Sequence, residues 1–208
     1  MEPGPHLFLT VEALPGPATL ARLQAALSAR PVASVLLIAS PGGGGAIDVG
    51  AAARLAGVIQ SHGAAALIED SAELARTVGA DGVHLSAVAG PEEAYVAARA
   101  ALGRDKIVGA AITGSRHDAM SLAEMGADYI AFAGPERDEF VAWWAGVFVV
   151  PCVALGIETP EDADRLAAAG ADFLGLALPP AGPIADAEAH IRTITNGLVR
   201  GNVRTGSG

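Results

Sequence analysis

The sequence predicts a single-domain (β/α)₈ barrel, and three observations carry that reading. The triplet Gly-Ala-Asp recurs at 79–81, 126–128 and 170–172, each time after an alanine-rich stretch and before a short apolar run. The runs are apolar on both faces, and such strands alternating with helices imply a parallel sheet. Eight strand-like and eight helix-like runs fit within the 208 residues, close to the lower size of a (β/α)₈ barrel. A doubly wound open sheet is the main rival, but it rarely needs eight such regular units.

The elements follow in order. Strand-like runs cover 6–11, 33–40, 64–69, 82–85, 106–112, 129–134, 148–156 and 173–178. Helix-like runs cover 17–30, 46–61, 71–77, 91–102, 115–125, 137–145, 159–169 and 185–199. Gly79, Gly126 and Gly170 are helix C′ residues, where a left-handed backbone costs glycine nothing. Thr159-Pro160-Glu161-Asp162 reads as a helix start, with an N-cap threonine, proline at N1 and acids in the first turn. Ser71 and Ser115 cap the third and fifth helices in the same way. The barrel is expected over residues 1–200, with 201–208 a flexible tail.

Composition narrows the function. The chain is 51% hydrophobic and 17% charged, too apolar for disorder. It has no apolar stretch long enough for a membrane helix, and no signal peptide is read at its start. A net charge of −10 argues against nucleic-acid or anionic-membrane partners. The single cysteine, Cys152, excludes an internal disulfide and fits a cytoplasmic location. Lys106 is the only lysine, beside twelve arginines.

Chemistry in such barrels belongs at the C-terminal ends of the strands. The residues there are Pro41 to Gly45, Glu69 and Asp70, His84 and Ser86, Thr113 to His117, Gly134 to Arg137, Gly156 to Thr159, and Pro179-Pro180. The glycine run is either a flexible loop or a phosphate cradle, but no GK[ST] follows, so a Walker loop is excluded. Glu69 and Asp70 either hold a cation or act as base, or simply suit a helix start. His84 is either a core histidine or a functional one. His117 reads as a surface residue in a first helical turn, and Cys152 as core. Trp143-Trp144 mark packing or a subunit contact.

With these residues in place, the chain resembles the thiamine phosphate synthase family and its thiazole tautomerase relatives over about residues 50–180. The family's Asn-Asp and GADGVHLGQ resemble Glu69-Asp70 and GADGVHLSAVAG (79–90). Its GADYIGFG resembles GADYIAFAG (126–134), its PVVAIGGITPENA resembles PCVALGIETPEDA (151–163), and its AAGADGVAV resembles AAAGADFLGLAL (167–178). The resemblance implies a transferase of thiamine biosynthesis. It joins a pyrimidine pyrophosphate to thiazole phosphate with Mg²⁺, lysine and arginine holding the leaving group. It also implies a small-molecule partner, thiazole phosphate or a thiamine-related compound, and a homodimer.

Matched position by position, much of that cationic machinery is missing. The family's Gln-x-Arg-x-Lys after the second strand is absent, and Pro135-Glu136-Arg137-Asp138 stands where a lysine follows the sixth strand. Asp70 matches the first metal-binding aspartate, and the second falls on Ala89. Gly156 matches the first phosphate-loop glycine and Ile157-Glu158 follow; the family serine falls on Leu178. The tautomerase histidine falls on Thr113 or Gly114. The candidate substrate-binding residues are thus Glu69, Asp70, His84, Thr113, Ser115, Arg137 and Gly156, with Asp70 the metal ligand. The expectation is a divergent paralogue with weak or lost synthase activity. An active synthase or tautomerase with a rearranged site, and a non-catalytic ligand- or partner-binding barrel, are the alternatives.

Overall fold

The computed structural model describes residues 4–40, 45–86 and 90–201. The expected glycine loop (41–44), Ala89 and the tail beyond Gly201 lie outside the described residues. The strands are β1 (His6–Glu12), β2 (Ser34–Ile38), β3 (Ala65–Glu69), β4 (Gly82–Leu85), β5 (Ile107–Ile112), β6 (Tyr129–Phe132), β7 (Cys152–Ala154) and β8 (Phe173–Ala177). The helices are α1 (Pro17–Ala29), α2 (Val49–Ser61), α3 (Ala72–Val78), α4 (Pro91–Leu102), α5 (Arg116–Glu124), α6 (Arg137–Ala145), α7 (Pro160–Ala168) and α8 (Ile184–Gly201). The strands pair in parallel and in chain order, and β8 returns to β1 to close the barrel.

The Gly-Ala-Asp repeat now has a physical account. Gly79, Gly126 and Gly170 have φ of 71°, 93° and 97°. The alanine after each donates its N–H back to the helix, Ala80 to Ala75 O at 2.9 Å, Ala127 to Leu122 O at 3.0 Å and Ala171 to Leu166 O at 3.1 Å. This is the 6→1 bond that closes a Schellman turn. The aspartate then bonds sideways to an earlier strand. Asp81 accepts from Ala66 N at 2.8 Å, Asp128 from Val108 N at 2.7 Å and Asp172 from Cys152 N at 2.8 Å. Each carboxylate satisfies a backbone N–H near the start of β3, β5 or β7. The triplet is therefore a joint for the N-terminal face of the barrel, away from the strand ends that carry chemistry.

Two apolar layers complete the core. Strand residues such as Val35, Leu37, Val83 and Ile130 face the helices, while Phe8, Leu36, Leu67, Ala111, Tyr129, Ala131 and Val153 fill the barrel interior. The seventh strand is shorter than expected. The run 148–156 reads as a strand because it is apolar, yet only Cys152–Ala154 pairs. Phe148 instead stacks on Trp144 at 4.1 Å, Trp144 Nε1 donates to Val150 O at 2.7 Å, and Val149 is 99% exposed.

Candidate active site

The β3 and β4 ends form one side of the barrel mouth. Asp70 has φ 52°, the one positive φ outside glycine among the described residues. Its N–H donates to His84 O at 2.9 Å. Its carboxylate accepts from Ser86 N at 2.7 Å and from the Ser86 hydroxyl. Aspartate adopts this left-handed backbone more readily than most residues, and its bonds to Ser86, 16 residues on, hold it there. A cavity of about 510 Å³ opens beside the β3 end, between the segment leading into α2 (Ala46, Ile47, Val49) and α3 (Glu73, Leu74, Thr77), with Glu69, Asp70 and Ser71 on its wall. Among the described residues three carboxylates line it and no lysine or arginine does. Burial, and then the Asp70 charge, raise the Glu69 carboxyl above its ordinary pKa, against a backbone bond from Ala39 that lowers it.

His84 lies deeper, 2% exposed. Its ring stacks against Tyr129 at 5.7 Å, and Nδ1 is 2.7 Å from the Tyr129 hydroxyl. Register makes this pair possible: Glu69, His84, Gly109 and Tyr129 are successive partners across β3, β4, β5 and β6. Gly109 separates the two rings' strands and contributes no side chain. Burial lowers the His84 pKa to about 4, against a smaller opposing effect of Asp70, so its imidazole is neutral at neutral pH. Burial raises the Tyr129 pKa further above its already high value. Tyr129 and Gly109 are not among the residues expected from sequence. The signal for them is a glycine inside the strand-like run KIVGAAI, which marks a close approach by a neighbour.

The β6 and β7 ends form the opposite side, since β3 and β7 are four strands apart in a ring of eight. Arg137, at the first turn of α6, donates from Nη1 to Leu155 O at 3.0 Å and Gly156 O at 2.9 Å. It donates from Nη2 to Asp162 at 2.8 Å and from Nε to Asp138 at 2.8 Å. Arg165 bonds the same two aspartates, closing a ring of four charges. Burial alone would raise the Asp138 pKa, but the bonds from Arg137 and Arg165 outweigh it and hold the carboxyl low. Gly156 is exposed with φ 72°, and Ile157 N–H donates to Gly175 O at 3.0 Å.

The other expected residues fall in place as follows. Thr113 is exposed at the end of β5, facing Gly134: a Cβ added at Gly134 would lie 3.7 Å from Thr113 Cγ2. Ser115 is the α5 N-cap and accepts from Asp118 N at 3.1 Å. The only lysine is at the other end of the barrel, where Lys106 Nζ donates to Ala80 O at 2.7 Å. The structure brings Glu69, Asp70 and the His84 backbone together, and separately brings Arg137 to Gly156.

The protein side chains alone make a poor divalent-cation site here. Among the described residues no three histidine, cysteine or carboxylate groups converge. Both Asp70 oxygens are already engaged by Ser86, and Pro41–Gly44 and Ala87–Ala89 carry no ligand side chain. Mg²⁺ usually keeps several waters and takes one or two carboxylates plus substrate phosphates, so Asp70 would hold it here only with a phosphate-bearing substrate supplying most of the other ligands.

The sequence profile of thiamine monophosphate synthase matches residues 8–177. The chain belongs to the thiamine monophosphate synthase family. It is 41% identical to the thiamine-phosphate synthase of Hyphomonas neptunium over 169 residues, 74% of this chain and 75% of that protein. It is 41% identical to that of Erythrobacter litoralis over 148 residues, 62% of this chain and 68% of that protein. Among solved structures, thiamine phosphate pyrophosphorylase from Pyrococcus furiosus superposes with a TM-score of 0.73 at 19% identity, covering 93% of this chain and 96% of that one. Tryptophan synthase subunit alpha from Legionella pneumophila superposes at 0.71 with 16% identity, covering 94% and 93%. At those identities the structural likenesses speak for the barrel alone. No helix among the described residues is long and apolar enough to cross a membrane.

Proposed function

We propose that this member of the thiamine monophosphate synthase family binds a thiamine-related phosphate ester and performs the synthase reaction weakly or not at all. The observation that carries the reading is the charge layout of the mouth. The cavity beside the β3 end is lined by Glu69, Asp70 and Glu73 with no cation among the described residues. Arg137, which stands where the family has a lysine, spends four of its five N–H donors on Asp138, Asp162, Leu155 O and Gly156 O. Expelling pyrophosphate needs positive charge at the leaving group. Here each carboxylate opposes it by roughly 1 kcal/mol at 4 Å in a water-like dielectric, and by several times that where water is excluded. The same carboxylates favour a cationic ring, so a thiazolium phosphate suits the mouth better than a pyrophosphate.

An active synthase is the second reading, favoured by 41% identity to a curated thiamine-phosphate synthase over three-quarters of that protein. One experiment separates them. The purified protein is incubated with pyrimidine pyrophosphate, thiazole phosphate and Mg²⁺, and thiamine phosphate is quantified. The proposal expects little or no product, together with thermal stabilisation by thiamine phosphate that Mg²⁺ does not enhance. Clear turnover abolished by Asp70→Ala refutes it.

A further inference from the structure

We propose that Arg137 is a positioning residue, which sets the loop after β7 to receive an oxyanion without touching that anion itself. The inference rests on the reading that the mouth holds a phosphate ester. A trans peptide is planar, so its N–H points opposite to its C=O. Arg137 Nη1 takes the carbonyls of Leu155 and Gly156, at 3.0 and 2.9 Å. The two amides that share those peptide planes, Gly156 N–H and Ile157 N–H, therefore both point away from Arg137. The second is used, donating to Gly175 O on β8 at 3.0 Å. The first has no acceptor among the described residues and lies at an exposed glycine on the C-terminal end of the barrel.

Glycine matters here for two reasons. The backbone has φ 72°, and the absent side chain leaves the amide approachable. Arg137 cannot swing out to meet an anion without giving up Asp162 and Asp138, each of which is also held by Arg165. The ring of four charges thus anchors α6 to α7 and fixes the loop between β7 and α7. A guanidinium suits this task because its planar fork makes several bonds in one fixed geometry, which an ammonium does not.

The test is an amide-resolved titration with inorganic phosphate, which needs no turnover and so stands apart from the synthase assay. In the wild type, phosphate should shift the Gly156 amide signal saturably, while the Ser115 and Ser71 caps stay unchanged. Arg137→Lys keeps the charge and loses the fork, and should weaken the Gly156 response at least tenfold with the distant signals intact. If Arg137→Lys does not fold, Asp162→Asn takes its place, with a weakening of threefold or more expected. A silent Gly156 amide in the wild type overturns the proposal, and so does an affinity unchanged in the folded variant. Turnover in the synthase assay would remove the proposed function and leave this inference to its own titration.

Discussion

Gly109→Ala is the substitution that most directly probes the barrel interior. A Cβ at position 109 would lie 2.1 Å from Tyr129 Cζ and 2.2 Å from Cε1. Those are ring atoms held in a closed interior, so the ring must move. Overpacking of this kind costs about 1–3 kcal/mol. Moving the ring also breaks the 2.7 Å contact between the Tyr129 hydroxyl and His84 Nδ1, and a stranded buried polar group costs about 1–3 kcal/mol more. The expected total is on the order of 4 kcal/mol, a large share of a domain's stability. Urea unfolding measures it as a fall in midpoint at constant slope. A cycle with Tyr129→Ala isolates the cause. Without the ring, Gly109→Ala should cost under about 1 kcal/mol, leaving a coupling of about 3 kcal/mol. Tyr129→Phe is the control, because the clash persists while the hydrogen bond is already gone. A cost for Gly109→Ala below about 1 kcal/mol, or the same cost in both backgrounds, would refute the register argument that places Gly109 between the two rings.

Stability should fall as pH drops from 6.5 towards 4. In that window the unfolded chain protonates His84 and the folded barrel, which lowers its pKa to about 4, does not. The loss is roughly 3 kcal/mol and should be absent in His84→Gln, as read from urea midpoints across pH. Glu69 acts in the opposite sense, since its raised pKa makes its contribution fade as pH rises through that value. Glu69→Gln should therefore stabilise the barrel at pH 7 more than at pH 4. Asp172→Ala leaves the buried Cys152 amide without its acceptor and should cost about 1–3 kcal/mol, with Asp172→Asn largely restoring it. Thr159→Ala removes the α7 cap, where Thr159 Oγ1 accepts from Asp162 N at 3.1 Å, and should cost about 1 kcal/mol by thermal melting.

The order of elements could be read from sequence because each β/α unit carries its own punctuation. Glycine and alanine mark three helix ends, and Ser71, Ser115 and Thr159 mark three helix starts, all by local bonds. Where apolar character misled, the reason is also local. Phe148, Val149 and Val150 look like a strand, yet they turn around Trp144 before β7 begins. The site was less readable because its contacts are non-local. Nothing near His84 in sequence announces Tyr129, which is 45 residues away and meets it only through the register of three strands. Arg137 reads as a replacement ligand because a cation stands where the family has one. Only the fold shows that Asp162, 25 residues on, competes for it.

Three of the segments that carry the family resemblance also explain why fold and activity can part company; the other, PCVALGIETPEDA, reaches the strand ends at Gly156. GADGVHL, GADYIAFAG and AAGADFLGLAL owe their most specific residues to the N-terminal face of the barrel. There Asp81, Asp128 and Asp172 hold strand amides, and Ala80, Ala127 and Ala171 close helix ends. None of these groups is at the mouth. A folded barrel needs them whatever the mouth does, since the N-terminal face serves stability and the C-terminal face chemistry. Even the one lysine serves that lower face, bonded to the carbonyl of Ala80. Joints of this kind are grounds for a shared fold and do not by themselves fix a reaction. The residues that decide the reaction are the few at the strand ends, and there the chain has placed Glu69, Asp70 and Glu73 around the cavity and tied Arg137 into a ring of ion pairs. Returning lysines to the mouth should therefore be nearly neutral for stability, because no lower-face joint depends on it. If such replacements unfold the barrel, the two faces are not independent and the inference from fold to lost chemistry fails.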